Sequence, residues 1–194
     1  MQAMSRYSVM FCLILGMAPL GACDCGSDPK ADAGPQEIEL GTGGLNFEPL
    51  ADDQDLLLVA GTQGGYHFVV NARIRGFLNG NPSVPDELGN PQTRFTMFDE
   101  GGRQIDIMPR PYRLGYRAAE DVWFELPSGR ILQVDQELVI SGDIAALYDQ
   151  KVRIVVEIRD AQGTEASDEV WVVPERDISP DAGLFQDAGV DAAP

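Results

Sequence analysis

The sequence is short of histidine, cysteine and positive charge. It has one histidine and three cysteines in 194 residues, and 14 basic side chains against 31 acidic ones, for a formal net charge of −17. Too few cations are present to release counterions from a phosphate backbone, so no nucleic-acid partner is expected. A lone histidine leaves no His-rich metal site and little basis for a Ser-His-Asp mechanism. Two glycine-rich segments, Gly41-Thr42-Gly43-Gly44 and Gly61-Thr62-Gln63-Gly64-Gly65, lack the Gly-Lys-Ser/Thr of a phosphate loop. They read as hairpin turns or a bulge, and no nucleotide is expected. What the chain does have is apolar content, 44% of its residues, which suffices for a core.

Its N-terminus carries one charge, Arg6, before an apolar run of about ten residues, Val9 to Ala18. That run suits a secretory signal and is too short to span ~30 Å of hydrocarbon. It ends in Leu20-Gly21-Ala22-Cys23, which resembles the lipobox of bacterial lipoproteins. The resemblance implies a lipid on Cys23, cleavage after Ala22, and no further role for residues 1–22. Several acyl chains at ~0.8 kcal/mol per buried CH₂ then hold the protein at a membrane. Two alternatives fit less well. Ordinary signal-peptidase cleavage wants a small residue where Leu20 stands, and Pro19 and Gly21 close the run early for a retained helix. The implied location is the bacterial cell envelope, with the outer membrane or cell surface and the periplasmic face of the inner membrane both open. On the same reading Cys12 leaves with the signal and Cys25 has no partner, so the domain relies on its core.

Small polar residues over 23–36 read as a flexible tether. A loose Asp-Ala-Gly repeat over 176–194 reads as a disordered acidic tail, too sparse for a calcium-binding solenoid. Between them, residues 37–175 hold 24 acidic and 11 basic side chains. Period-two alternation dominates this middle. Tyr66, Phe68, Val70, Ala72 and Ile74 share one face, with Arg73 and Arg75 on the other, and Val152, Ile154, Val156 and Ile158 repeat the pattern. Further strands are expected at 37–40, 55–60, 93–98, 104–108, 122–126, 131–134, 137–140 and 169–173, with one helical turn near 143–148. Eight to ten short strands separated by turns predict an all-β, antiparallel β-sandwich, with a small β-barrel as the alternative. The pattern resembles immunoglobulin-like and fibronectin-like domains of bacterial surface proteins, without the paired cysteines of antibody domains.

Candidate chemistry is sparse. His67 points away from the main apolar face, and no Gly-x-Ser-x-Gly elbow accompanies it. Oxygen-rich clusters at Asp160, Asp168 and Glu169 and at Asp52, Asp53 and Asp55 make calcium the one metal to consider; neither has EF-hand spacing, and no cofactor is expected. The strongest binding signal is Trp123 and Trp171, each placed by alternation on the more polar face of its strand, where large aromatics serve a glycan or protein partner; the plainer alternative is that one or both faces are covered, above all around the continuously apolar Val170–Val173. The expectation is a lipid-anchored envelope protein whose domain binds or supports structure without catalysis. The alternative is an envelope hydrolase or its accessory carbohydrate-binding module, for which a cleft holding His67, or two carboxylates about 5–10 Å apart, is the mark.

Overall fold

A computed structural model describes residues 35–61, 64–107, 110–142 and 144–176. The expected signal, Cys23, Cys25, nearly all of the expected tether and residues 177–194 lie outside the described residues. The strands are β1 (Glu37–Thr42), β2 (Glu48–Pro49), β3 (Gln54–Ala60), β4 (Tyr66–Arg75), β5 (Gln92–Phe98), β6 (Tyr112–Arg113), β7 (Arg117–Ala118), β8 (Phe124–Glu125), β9 (Arg130–Gln133), β10 (Val152–Arg159) and β11 (Glu165–Arg176). Two short helices, α1 (Gln136–Ile140) and α2 (Ile144–Leu147), lie between β9 and β10.

The domain is all-β, as the alternation predicts. Its strands form one hydrogen-bonded network in the order β2-β1-β4-β3-β11-β10-β5-β6, curled into a half-barrel, with β8 and β9 also on β4. The two strands with the clearest alternation carry the core. Phe68, Val70, Ala72 and Ile74 of β4 and Val152, Ile154, Val156 and Ile158 of β10 are each at most 2% exposed. Each of these side chains apart from Ala72 contributes roughly 1.5–3 kcal/mol on burial.

Three features depart from the sequence reading. The sheet is mixed, because Gln54–Leu58 of β3 runs parallel to Val172–Arg176 of β11 before Val59 and Ala60 turn antiparallel to β4. No turn joins these two strands, so turn chemistry carries no signal of their pairing. Residues 137–140 are helical rather than extended. Asp135 caps α1 by accepting from the Glu137 N–H at 3.0 Å, and Leu138 alone of the helix is buried. Four residues of alternation are too few to outweigh an Asp N-cap. Finally, Pro127-Ser128-Gly129 does not reverse the chain: β8 and β9 both run antiparallel to β4, so these residues form a bulge inside one interrupted strand.

Residues 104–107, expected as a strand, make only isolated bridges, Phe98 with Gln104 and Asp106 with Val134. They nevertheless join β5 to the end of β9. Ile105 N–H donates to Met97 O at 3.0 Å, while Ile107 N–H donates to Gln133 O and Asp135 N–H to Ile105 O. Asp106 substitutes for a missing strand here, its Oδ1 accepting the Met97 N–H at 3.1 Å. The side chain is 7% exposed and its Oδ2 is buried without a partner. Burial pushes its pKa up, the nearby Asp135 charge adds to this, and the Met97 and Asp106 N–H groups and the Gln104 amide oppose it.

A carboxyl with a raised pKa binds its proton more tightly folded than unfolded. Its stabilising effect is therefore present below about pH 4 and fades as pH rises through the folded pKa. Asp106→Asn keeps an acceptor for Met97 and removes this dependence. The variant is expected to gain stability relative to wild type between pH 4 and pH 7, read from urea midpoints. A difference that stays constant across that range refutes the assignment.

Candidate functional site

The two tryptophans are both half-buried and lie in two aromatic–arginine rows that share no residue. The first row grows from the outward face of β4. Register places Arg73 opposite Glu39 of β1 and Glu125 of β8, and Arg75 opposite Glu37. Arg73 Nε donates to Glu39 at 2.7 Å, and Arg75 pairs with Glu37. The Arg73 guanidinium lies 4.7 Å from the Phe47 ring centre and 4.5 Å from that of Trp123, with Arg75 at 5.0 Å from Trp123. Glu125 accepts from Arg117, whose other nitrogen reaches Leu45 O. The turn that delivers Trp123 is held by Ala119 N–H to Trp123 O and bends through Asp121 at φ 57°. Val122, expected to face inward, is 59% exposed because it belongs to this turn rather than to β8.

The second row crosses three strands. Arg153 of β10 stands opposite both Phe98 of β5 and Trp171 of β11, with its guanidinium 4.7 Å and 5.9 Å from the two rings. Glu169 holds Arg153 at 3.1 Å. The Trp171 backbone is clamped by residues before β3: its N–H donates to Asp52 at 3.0 Å and its carbonyl accepts from Asp53 at 2.7 Å. Each arginine–aromatic contact contributes about 0.5–1 kcal/mol at such partly exposed sites and fixes the ring's orientation. Alternation in the sequence placed Arg73, Arg75 and both tryptophans outward. Their stacking partners Phe47 and Phe98 come from distant segments and carry no local signal.

Of the six carboxylates considered for calcium, all but Asp55 are engaged by protein groups, Asp52 by the Trp171 N–H. Asp160 accepts three backbone N–H groups, Asp168 accepts the Leu40 N–H at 2.8 Å, Glu169 pairs with Arg153, and Asp53 pairs with Lys151. Among the described residues, no group of three His, Cys, Asp or Glu side chains converges as metal ligands would. His67 stands opposite Gln133 and Val59 on neighbouring strands, and burial lowers its pKa. Among the described residues it has no hydrogen bond or ion pair to a carboxylate that would orient it as a base.

A depression of about 370 Å³ over the β5–β10–β11 face is lined by Arg94, Glu157, Arg159 and Glu165. These charges pair across the strands at 3.5 Å and 3.3 Å. A second, smaller cavity is lined by Arg130–Gln133 of β9 together with Asp106, Ile107, Arg110 and Tyr112. No helix among the described residues is long and apolar enough to cross a membrane. No protein-family model matches the chain, and no curated protein or solved structure matches it.

Proposed function

We propose that the chain is a lipid-anchored protein of the bacterial envelope whose β domain recognises a partner rather than transforming a substrate. The anchor reading rests on the Leu20-Gly21-Ala22-Cys23 sequence closing a ten-residue apolar run. The recognition reading is carried by one observation, the two rows in which arginine guanidinium groups lie over tryptophan and phenylalanine rings on the sheet's outer surface. Arginine and aromatic side chains dominate the binding energy of protein interfaces. A sugar platform needs an open ring face, and two guanidinium groups already overlie Trp123. A protein partner is therefore favoured over a glycan.

The test is affinity capture from detergent-solubilised envelopes with the full lipidated chain, comparing wild type with Trp123→Ala and Trp171→Ala. One partner band retained by wild type is expected to fall at least about tenfold in one of the variants, the loss of a single aromatic anchor. Capture that survives protease treatment but is lost on glycan digestion favours the sugar reading instead. Equal retention by all three proteins removes the aromatic rows as the binding surface.

A further inference from the structure

Two turns beside the first aromatic row hold aliphatic side chains out in solvent. Leu45 is 76% exposed and Val122 59% exposed, yet both turns are pinned. The carbonyls of Gly43, Gly44 and Leu45 accept in succession from the Asn71 side chain of β4 at 3.3 Å, the Gly129 N–H before β9 at 2.9 Å and Arg117 of β7 at 2.7 Å. Val122 sits in the tip between β7 and β8, where Ala119 N–H donates to Trp123 O and Trp123 N–H to Glu120 O. Leu45 precedes Phe47 by two residues and Val122 precedes Trp123 by one, so the two turns flank the stack in which Arg73 meets both rings. Exposed aliphatic groups beside large aromatics form the kind of apolar patch that marks an interface. Because these turns are already ordered, binding there costs little conformational entropy.

Charge at this patch restricts the partner. Arg73, Arg75 and Arg117 are each matched by a carboxylate, Glu39, Glu37 and Glu125 respectively. Glu120 and Asp121, both exposed and next to Val122, form no ion pair among the described residues. The rim of the patch is therefore left negative: a cationic partner complements it and an acidic one is repelled. Strand addition is disfavoured here, because the sheet edge beside Phe47 is β2, whose Pro49 has no N–H to donate. A helix satisfies its own backbone and asks only for side-chain partners.

We propose that this patch docks a cationic amphipathic helix of a partner protein. The helix's apolar side chains cover Leu45, Phe47, Trp123 and Val122, and its lysine or arginine side chains meet Glu120 and Asp121. This rests on the first aromatic row being a binding surface, and it adds the chemical character of the partner to that reading.

Surface plasmon resonance on the full-length protein in phosphatidylcholine nanodiscs, with empty nanodiscs as reference, tests this with two defined probes. One is an alanine-based helix with leucine at positions i and i+4 and lysines beside them; the other has glutamate in place of lysine. The lysine helix is expected to bind at least about tenfold more tightly than the glutamate helix. Leu45→Ser and Val122→Ser are each expected to weaken it about tenfold, the loss of one buried aliphatic contact. Glu120→Gln combined with Asp121→Asn is expected to narrow the preference for lysine. Leu88→Ser, at a leucine 79% exposed in the loop after β4, is expected to change nothing. Equal binding of the two helices, or lysine-helix affinity unchanged in both Leu45→Ser and Val122→Ser, overturns the proposal. If Trp123→Ala loses the envelope partner while the lysine helix does not bind, the aromatic row stands as a binding surface and this proposal alone fails.

Discussion

Asp160→Ala is expected to lower the unfolding free energy by about 3 kcal/mol and to loosen two loops at once. Asp160 is 6% exposed and sits at the turn joining β10 to β11. Its Oδ1 accepts the N–H groups of Gln162 and Thr164, each at 2.9 Å, so one oxygen organises the turn. Its Oδ2 accepts the Leu78 N–H at 3.1 Å and thereby ties down the start of the long loop after β4. Hydrogen bonds to a charged acceptor are worth about 1.5–3 kcal/mol each, less when the donors regain water. Three part-buried donors losing one shared acceptor therefore give a loss near 3 kcal/mol rather than a few tenths. Asp160→Asn retains one carbonyl acceptor and is expected to fall between wild type and alanine. Urea unfolding followed by tryptophan fluorescence gives the magnitude, and amide exchange at Leu78, Gln162 and Thr164 gives the location. A loss below about 1 kcal/mol, or faster exchange at the turn without any at Leu78, contradicts the shared-acceptor account.

Cys23→Ala is expected to abolish fatty-acid labelling and to move the protein from the membrane fraction to the soluble one. A single myristoyl-length chain supports an association constant of only about 10⁴ M⁻¹, whereas added chains make the attachment effectively permanent. Removing the attachment residue therefore changes partitioning by orders of magnitude. The described domain offers no apolar helix long enough to compensate. Labelling with radioactive palmitate, with fractionation of the same cells, reads both outcomes. Equal labelling of wild type and variant ends the lipoprotein reading, and a Cys25→Ala control separates the two neighbouring thiols.

How much was legible in the sequence follows the reach of each interaction. β4 and β10 showed themselves because ten and eight residues of alternation leave no competing period. The α1 segment misled, since Leu138 and Ile140 alternate as a strand does, while the deciding group, Asp135, lies just upstream. Pro127-Ser128-Gly129 has turn composition and forms a bulge, because the neighbour that keeps β8 and β9 in line is β4, more than fifty residues earlier. Trp171 lies on the face of β11 opposite the buried Val170 and Val172, whereas Trp123 falls in the turn before β8, and the guanidinium groups over both rings depend on cross-strand register. The burial of Asp106 was not legible for the same reason, since the Met97 N–H it accepts and the Val134 it bridges belong to other segments. The one local hint, a charge between two apolar residues in Ile105-Asp106-Ile107, is equally what strand alternation produces.

The place of β11 in the sheet bears on how the chain is made. It is the last strand among the described residues, yet it lies between β3 and β10 and is hydrogen-bonded to both. Until residues 165–176 have been synthesised, β3 and β10 expose open edges and the core side chains Val170 and Val172 are missing. Contacts spanning more than a hundred residues also make such closure slow. A polypeptide arranged in this way completes its core only once β11 is available, so the emerging chain is expected to stay open to proteolysis until residues 165–176 have joined β3 and β10.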